Sequence, residues 1–221
     1  KTYLSKSKPP GIAIMNIDFH FAHERRDTLN EFPKFFPYLD NAFLYKELKA
    51  RDARFVLFRY LSLYKFAYMG DKYLNIAARG YLNKPGIYDV DCYKGLQTIN
   101  PIEFKDLTKE DTGKYMASVL KENVDYLDSI IVLCKKNNTR LYFVVSPTYI
   151  KGSQRIVNLD QQIKTFETLA KQREIPFMNF TNDPMCYDMS NFVDFYHMKK
   201  IGARKFSLLF SKQFLSLSQK Q

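Results

Sequence analysis

Three short apolar runs, separated by stretches with helical periodicity, constrain the fold of this chain more than any other feature. Residues 12–19 (Ile-Ala-Ile-Met-Asn-Ile-Asp-Phe), 140–146 (Arg-Leu-Tyr-Phe-Val-Val-Ser) and 176–180 (Pro-Phe-Met-Asn-Phe) are strand-length and mostly apolar. Runs of this kind suit strands buried on both faces, as in a parallel sheet. Residues 28–82 read as a helical region. Within it, 35–39 form a turn between helices, and apolar residues such as Phe55, Phe58, Leu61 and Leu63 recur at helical spacing. The spacing predicts helices over 114–136, 159–173 and 198–217, with Asn137-Asn138 ending the first. The sequence predicts a three-layer α/β/α sandwich with a mostly parallel sheet and a helical insertion after its first strand. Residues 83–113, punctuated by Pro85-Gly86, Gly95 and Pro101, read as an irregular excursion that packs on the body or covers a site.

The chain of 221 residues is long enough for one continuous core, and no repeat, low-complexity segment or linker divides it. The expected organisation is therefore a single domain over residues 1–221. A hydrophobic content of 46% with 16% aromatic residues excludes a disordered chain. The three cysteines, Cys92, Cys134 and Cys186, fit neither a C-x-x-C pair nor a zinc pattern. No stretch reaches the about 18 apolar residues of a spanning helix.

A net charge of +11 favours anionic partners. The lysines are scattered and form no basic arm, so nucleic acid is not the expected partner. A solvated basic surface is the preferred reading of the charge, with acidic polysaccharide among the anionic partners that such a field favours.

In open parallel sheets, ligands bind beyond the carboxyl ends of the strands. That rule groups Asp18 and His20, Ser146 and Thr148, and Asn179 and Thr181 with the loop holding Asp194 and His197. Polar residues there are equally ordinary turn chemistry. Asp194 and His197 form the sharpest pair. An acid three residues before a histidine suits a carboxylate that fixes the imidazole, which then acts as general base toward a serine. The competing reading is a helix entry capped by Asp194, with His197 a partly buried polar residue. His20 and His23 sit at i, i+3, but neither a helix nor a further histidine or acidic motif supports a metal site with Asp18 and His197, so no metal and no cofactor are expected.

The order of motifs carries a resemblance. Val-Val-Ser-Pro (144–147) is followed by a helix, then Asn-Phe-Thr (179–181), Asp-x-x-His-x-x-x-x-Gly-Ala (194–203) and a closing helix. Upstream stand Ile-Asp-Phe (17–19), Phe-Phe-Pro-Tyr-Leu (35–39) and Arg79-Gly80-Tyr81. This pattern resembles the SGNH (GDSL-type) hydrolase superfamily, and more narrowly its cell-envelope branch related to polysaccharide O-acetyltransferases and D-alanylation proteins.

The resemblance implies that Asp194 and His197 are the acid and base of a Ser-His-Asp triad. It implies a bacterial, extracytoplasmic or periplasmic envelope protein acting on acyl esters of a surface polysaccharide. Asp18, His20, Ser146 and Thr148 would line the substrate. The superfamily's Gly-x-Ser-like block has no counterpart here. Ser5 and Ser7 precede a basic Pro-Pro segment, so the nucleophile, and any membrane tether, is expected upstream of Lys1. The chain taken alone is then expected to be inactive. A non-catalytic SGNH-like binding or assembly module is the alternative.

Overall fold

The fold is described from a computed structural model, over residues 7–17, 32–65, 67–68, 78, 81–82, 92–93, 96–97, 113–117 and 121–219. The chain divides into two compact units: residues 1–8 with 25–91, and residues 9–24 with 92–221.

In the first unit a 3-10 turn at Phe32–Tyr38 leads into α1 (Ala42–Arg51) and α2 (Arg54–Tyr60). The sequence pattern placed a turn between helices at 35–39. Here the segment is itself helical, with Pro37 inside it. Asn41 caps α1 by accepting the Leu44 amide at 3.0 Å. Phe32, Phe36, Leu39, Leu48, Phe55 and Phe58 form the core of this unit. The Arg54 guanidinium lies 4.5 Å from the centroid of the Phe32 ring and pairs with Asp52 at 2.7 Å. Leu61 and Leu63, read as core positions from their spacing, are 52% and 83% exposed. The reason is that α2 ends at Tyr60, so the helical phase that buries Phe55 and Phe58 does not carry past Leu61.

The second unit is built on three parallel strands: β1 (Ile12–Asn16), β4 (Arg140–Val145) and β5 (Phe177–Asn179), in the order β1-β4-β5. Ile12 aligns with Arg140 and Asn16 with Val144, while Phe143 aligns with Phe177 and Val145 with Asn179. A two-residue antiparallel pair, β2 (Cys92–Tyr93) and β3 (Leu96–Gln97), falls in the stretch expected to be irregular. The rest of 83–112 lies outside the described residues, and so does Arg79-Gly80.

Side chains alternate across β4 as a pleated strand requires. Leu141 and Phe143 join Ile17 in a core with Leu127 and Ile131 of α3 (Lys121–Lys136) and Phe166 and Ala170 of α5 (Leu159–Gln172). Tyr142 and Val144 join Met178 and Phe180 instead, against Phe206, Leu209, Phe210 and Phe214 of α6 (Lys200–Ser218). A short α4 (Ile150–Ser153) connects β4 to α5. Arg173 binds Asp128 at 2.6 Å and ties the end of α5 to α3.

Two expectations need correction. Among the described residues of the first run the strand covers Ile12–Asn16, and its two faces differ. Ala13 and Met15 pack on the core, whereas Ile12 and Ile14 are 47% and 50% exposed. The helix expected from 114 is formed from Lys121, and residues 113–117 are not helical. Tyr115 pairs with Ile156, and the Asn158 side chain holds both the N–H and C=O of Ala117, at 3.0 and 2.8 Å. Gln162 donates to the same carbonyl at 2.7 Å. Met116, assigned to the apolar helix face, is 68% exposed as a result. The end of α3 is as expected: Asn138 adopts φ 53°, the left-handed conformation that stops a helix.

Candidate functional site

The loop from Phe192 to Met198 closes on itself. Phe192 bridges Met198, and the Val193 amide donates to the His197 carbonyl at 2.7 Å. Within it, Asp194 Oδ1 accepts the amides of Tyr196 and His197 at 2.8 and 2.7 Å, an Asx turn. Asp194 Oδ2 lies 2.7 Å from His197 Nδ1. One carboxylate therefore shapes the turn with one oxygen and orients the imidazole with the other.

Partial burial alone would raise the Asp194 carboxyl. The amide of Tyr196, followed by the ring and amide of His197, outweighs that and holds it below its ordinary value. The capping alternative is met only in part. Asp194 caps its own turn, while α6 begins after Lys199 with no side-chain cap. His197 is not a buried polar residue, because its side chain is 65% exposed. Its Nε2 makes no hydrogen bond among the described residues.

Neighbouring elements fix the loop. The Tyr149 amide donates to the Phe195 carbonyl at 3.0 Å, which brings the exit of β4 beside the Asp-His pair. Tyr149, Phe192 and Phe195 form a buried aromatic cluster, with the Tyr149 and Phe195 rings nearly parallel at 6.4 Å. Gly152 is required at the contact, since a β-carbon there would stand 2.8 Å from the Phe195 Cβ. On the other side Asn191, 1% exposed, accepts the Lys199 amide through its carbonyl at 2.8 Å and the Lys205 ammonium through its side chain at 2.9 Å. The Gly-Ala that follows the histidine has a steric cause: a β-carbon on Gly202 would collide with the Asn191 carbonyl.

The other expected site residues are placed unevenly. Asp18 and His20 lie outside the described residues, as does His23. Ser146 is at the carboxyl end of β4, with its hydroxyl donating to Asn16 Oδ1 at 2.7 Å and its amide to the same oxygen at 3.1 Å. Thr148 Oγ1 is 2.7 Å from Ser153 Oγ. Asn179 Oδ1 accepts both the amide and the hydroxyl of Thr181. Among the described residues no serine or threonine hydroxyl bonds to His197. Ser5 and Ser118 lie outside them.

Sequence reasoning missed Asn16, Tyr149, Gly152, Arg155 and the Tyr115–Tyr196 pair. The density of aromatic residues in Phe192–Met198 was the available signal. Tyr115 is raised well above the usual tyrosine range by burial and by its hydrogen bond to Tyr196, with Arg155 opposing. Cys186 is buried, with its thiol 3.2 Å from the Phe180 carbonyl, and burial pushes it up to about 11. A thiol held protonated in this way is not a nucleophile.

The chain was compared with models of known families, with curated proteins and with solved structures, and it matches none of them.

Proposed function

We propose that this chain is an SGNH-like esterase or O-acyltransferase domain acting on acyl esters of a cell-envelope or surface polysaccharide, with a three-layer α/β/α sandwich as its scaffold. The observation that carries the reading is the Asp194–His197 geometry. A carboxylate bound to Nδ1 fixes the tautomer in which Nε2 is the base, and Nε2 has no hydrogen-bond partner among the described residues. A serine hydroxyl presented to Nε2 loses its proton to the ring as its oxygen attacks the acyl carbonyl, and the imidazolium so formed is stabilised by Asp194. His197 then returns the proton to the departing sugar oxygen. Water or a second hydroxyl repeats the cycle on the acyl-serine. The net charge of +11 supports an acidic glycan as substrate, and the motif order supports an envelope location.

One observation favours the alternative, a non-catalytic binding or assembly module: Ser146, at the carboxyl end of the central strand, gives its hydroxyl to Asn16 and not to His197. The deciding experiment follows acetate release from acetylated acidic glycan by the full-length gene product. The catalytic reading expects release that is abolished in His197→Ala and much reduced in Asp194→Asn. Glycan binding without release, unchanged in His197→Ala, would replace it with the binding module.

A further inference from the structure

Arg155 is a cation held in place without a carboxylate partner among the described residues. Its carbonyl accepts the Tyr115 amide at 2.8 Å, and its own amide donates to Gly152 at 3.2 Å, so the backbone is fixed on both sides. Its Nε donates to the Gly113 carbonyl at 3.2 Å. The guanidinium carbon then lies 5.3 Å from the centroid of Phe195, a residue of the Asp-His loop. This arrangement uses Nε and the π-face and leaves both terminal nitrogens without a partner among the described residues. Other well-fixed arginines differ: Arg54 gives its terminal nitrogens to Asp52 and Tyr68, and Arg173 binds Asp128.

A guanidinium in a fixed plane with an open fork is matched in shape by a planar carboxylate, which takes two parallel N–H···O bonds. An ordinary surface arginine loses side-chain freedom when it forms such a pair. Arg155 has already lost much of it to Gly113 and Phe195, so less is lost on binding. The location follows from the covalent chain: Phe195, under the guanidinium, is two residues from His197, and Tyr196 between them is hydrogen-bonded to Tyr115.

We infer that Arg155, backed by Phe195 and flanked by the Tyr115–Tyr196 pair, forms a subsite for the carboxylate of an acidic sugar next to His197. The inference rests on the glycan reading above for the sugar and on the Arg155 geometry for the carboxylate. It narrows the substrate to a uronic-acid type of glycan, with the carboxylate held by the fork and the neighbouring ester presented to the imidazole.

The test measures binding of oligogalacturonate to the full-length protein by calorimetry, beside neutral xylo-oligosaccharide, galacturonic acid monomer and inorganic phosphate. Expected is binding of the oligogalacturonate that weakens at least tenfold in Arg155→Gln and is partly kept in Arg155→Lys. The monomer should compete weakly, and the neutral oligosaccharide should not bind. Equal loss in Arg204→Gln, an exposed arginine on α6, would show a general field effect and overturn the subsite. Phosphate competing as well as the acidic oligosaccharide would overturn the carboxylate assignment, and unaltered binding in Arg155→Gln would overturn the role of Arg155. The two readings fail separately. Arg155-dependent binding without ester turnover removes the catalytic function alone, whereas turnover with Arg155-independent binding removes the subsite alone.

Discussion

Gly152 and Phe195 touch backbone to backbone: a β-carbon on the glycine would stand 2.9 Å from the Phe195 carbonyl oxygen and 2.8 Å from its Cβ. This contact seats the Asp-His loop against the segment leaving β4, and the hydrogen bond from Tyr149 to the same carbonyl completes it. The geometry of the site therefore depends on a residue that has no functional group of its own.

Gly152→Ala should destabilise the protein by about 1–3 kcal/mol, the usual cost of overpacking a well-filled contact. For a chain of this size that corresponds to a fall in Tm of roughly 2–12 °C. Thermal melts measure it, and the amide resonances of Phe195–His197 should shift more than those of α3. An unchanged Tm would mean that the loop adapts without cost.

Asp194 and His197 should separate in stability measurements. His197 is mostly exposed, so His197→Ala should alter stability by only about 0.5 kcal/mol. Asp194→Ala removes the acceptor of two loop amides and should cost about 1 kcal/mol, as loss of a cap does. Urea denaturation checks both. Equal effects would show that the Asx turn does not hold the loop.

The lowered pKa of Asp194 gives a stability contribution with a definite sign. An unfolded aspartate titrates near about 3.9, and the folded value lies below it. The contribution is fully present above the unfolded value and is lost as pH falls through the folded one. Wild type minus Asp194→Asn stability should therefore decline as pH falls below about 4. A difference that grows below about pH 4 would reverse the assignment.

Asn191 is the buried polar link between the loop and α6. Asn191→Ala leaves the Met185 carbonyl and the Lys205 ammonium without this partner and should cost about 1–3 kcal/mol. Lys205→Met, which removes an exposed cation, should cost less than about 1 kcal/mol. Equal costs would place the energy in the ammonium contact and not in the buried amide.

The parallel sheet was legible because β4 and β5 carry apolar residues on both faces, and only buried strands tolerate that. The Asp194–His197 contact was legible because three residues of spacing let an Asx turn bring the ring back to its own carboxylate. The extended course of 113–117 was not. It is set by Asn158 and Gln162, 41 and 45 residues away from Ala117, while the local pattern of Met116, Val119 and Leu120 reads as helix. Arg155 was equally hidden, since its significance comes from Gly113 and Phe195, each about 40 residues distant in sequence. Exposure of Ile12 and Ile14 was missed because a run of alternating small and large apolar residues does not reveal that only one face is covered.

The pairing of β1 with β4 also sets a schedule for synthesis. Asn16 and Ser146, at the matched ends of the two strands, are separated by 130 residues. At about 5–20 residues per second, the first strand waits roughly 6–26 s on the ribosome before its neighbour is made. During that interval the aromatic residues of Phe32–Tyr64, whose partners are close in sequence, are already available to one another. The strand of Ile12 and Ile14 meanwhile waits without the β4 neighbour it pairs with. Slowing translation between the two strands lengthens that wait, so aggregation and chaperone dependence should respond to codon choice between β1 and β4.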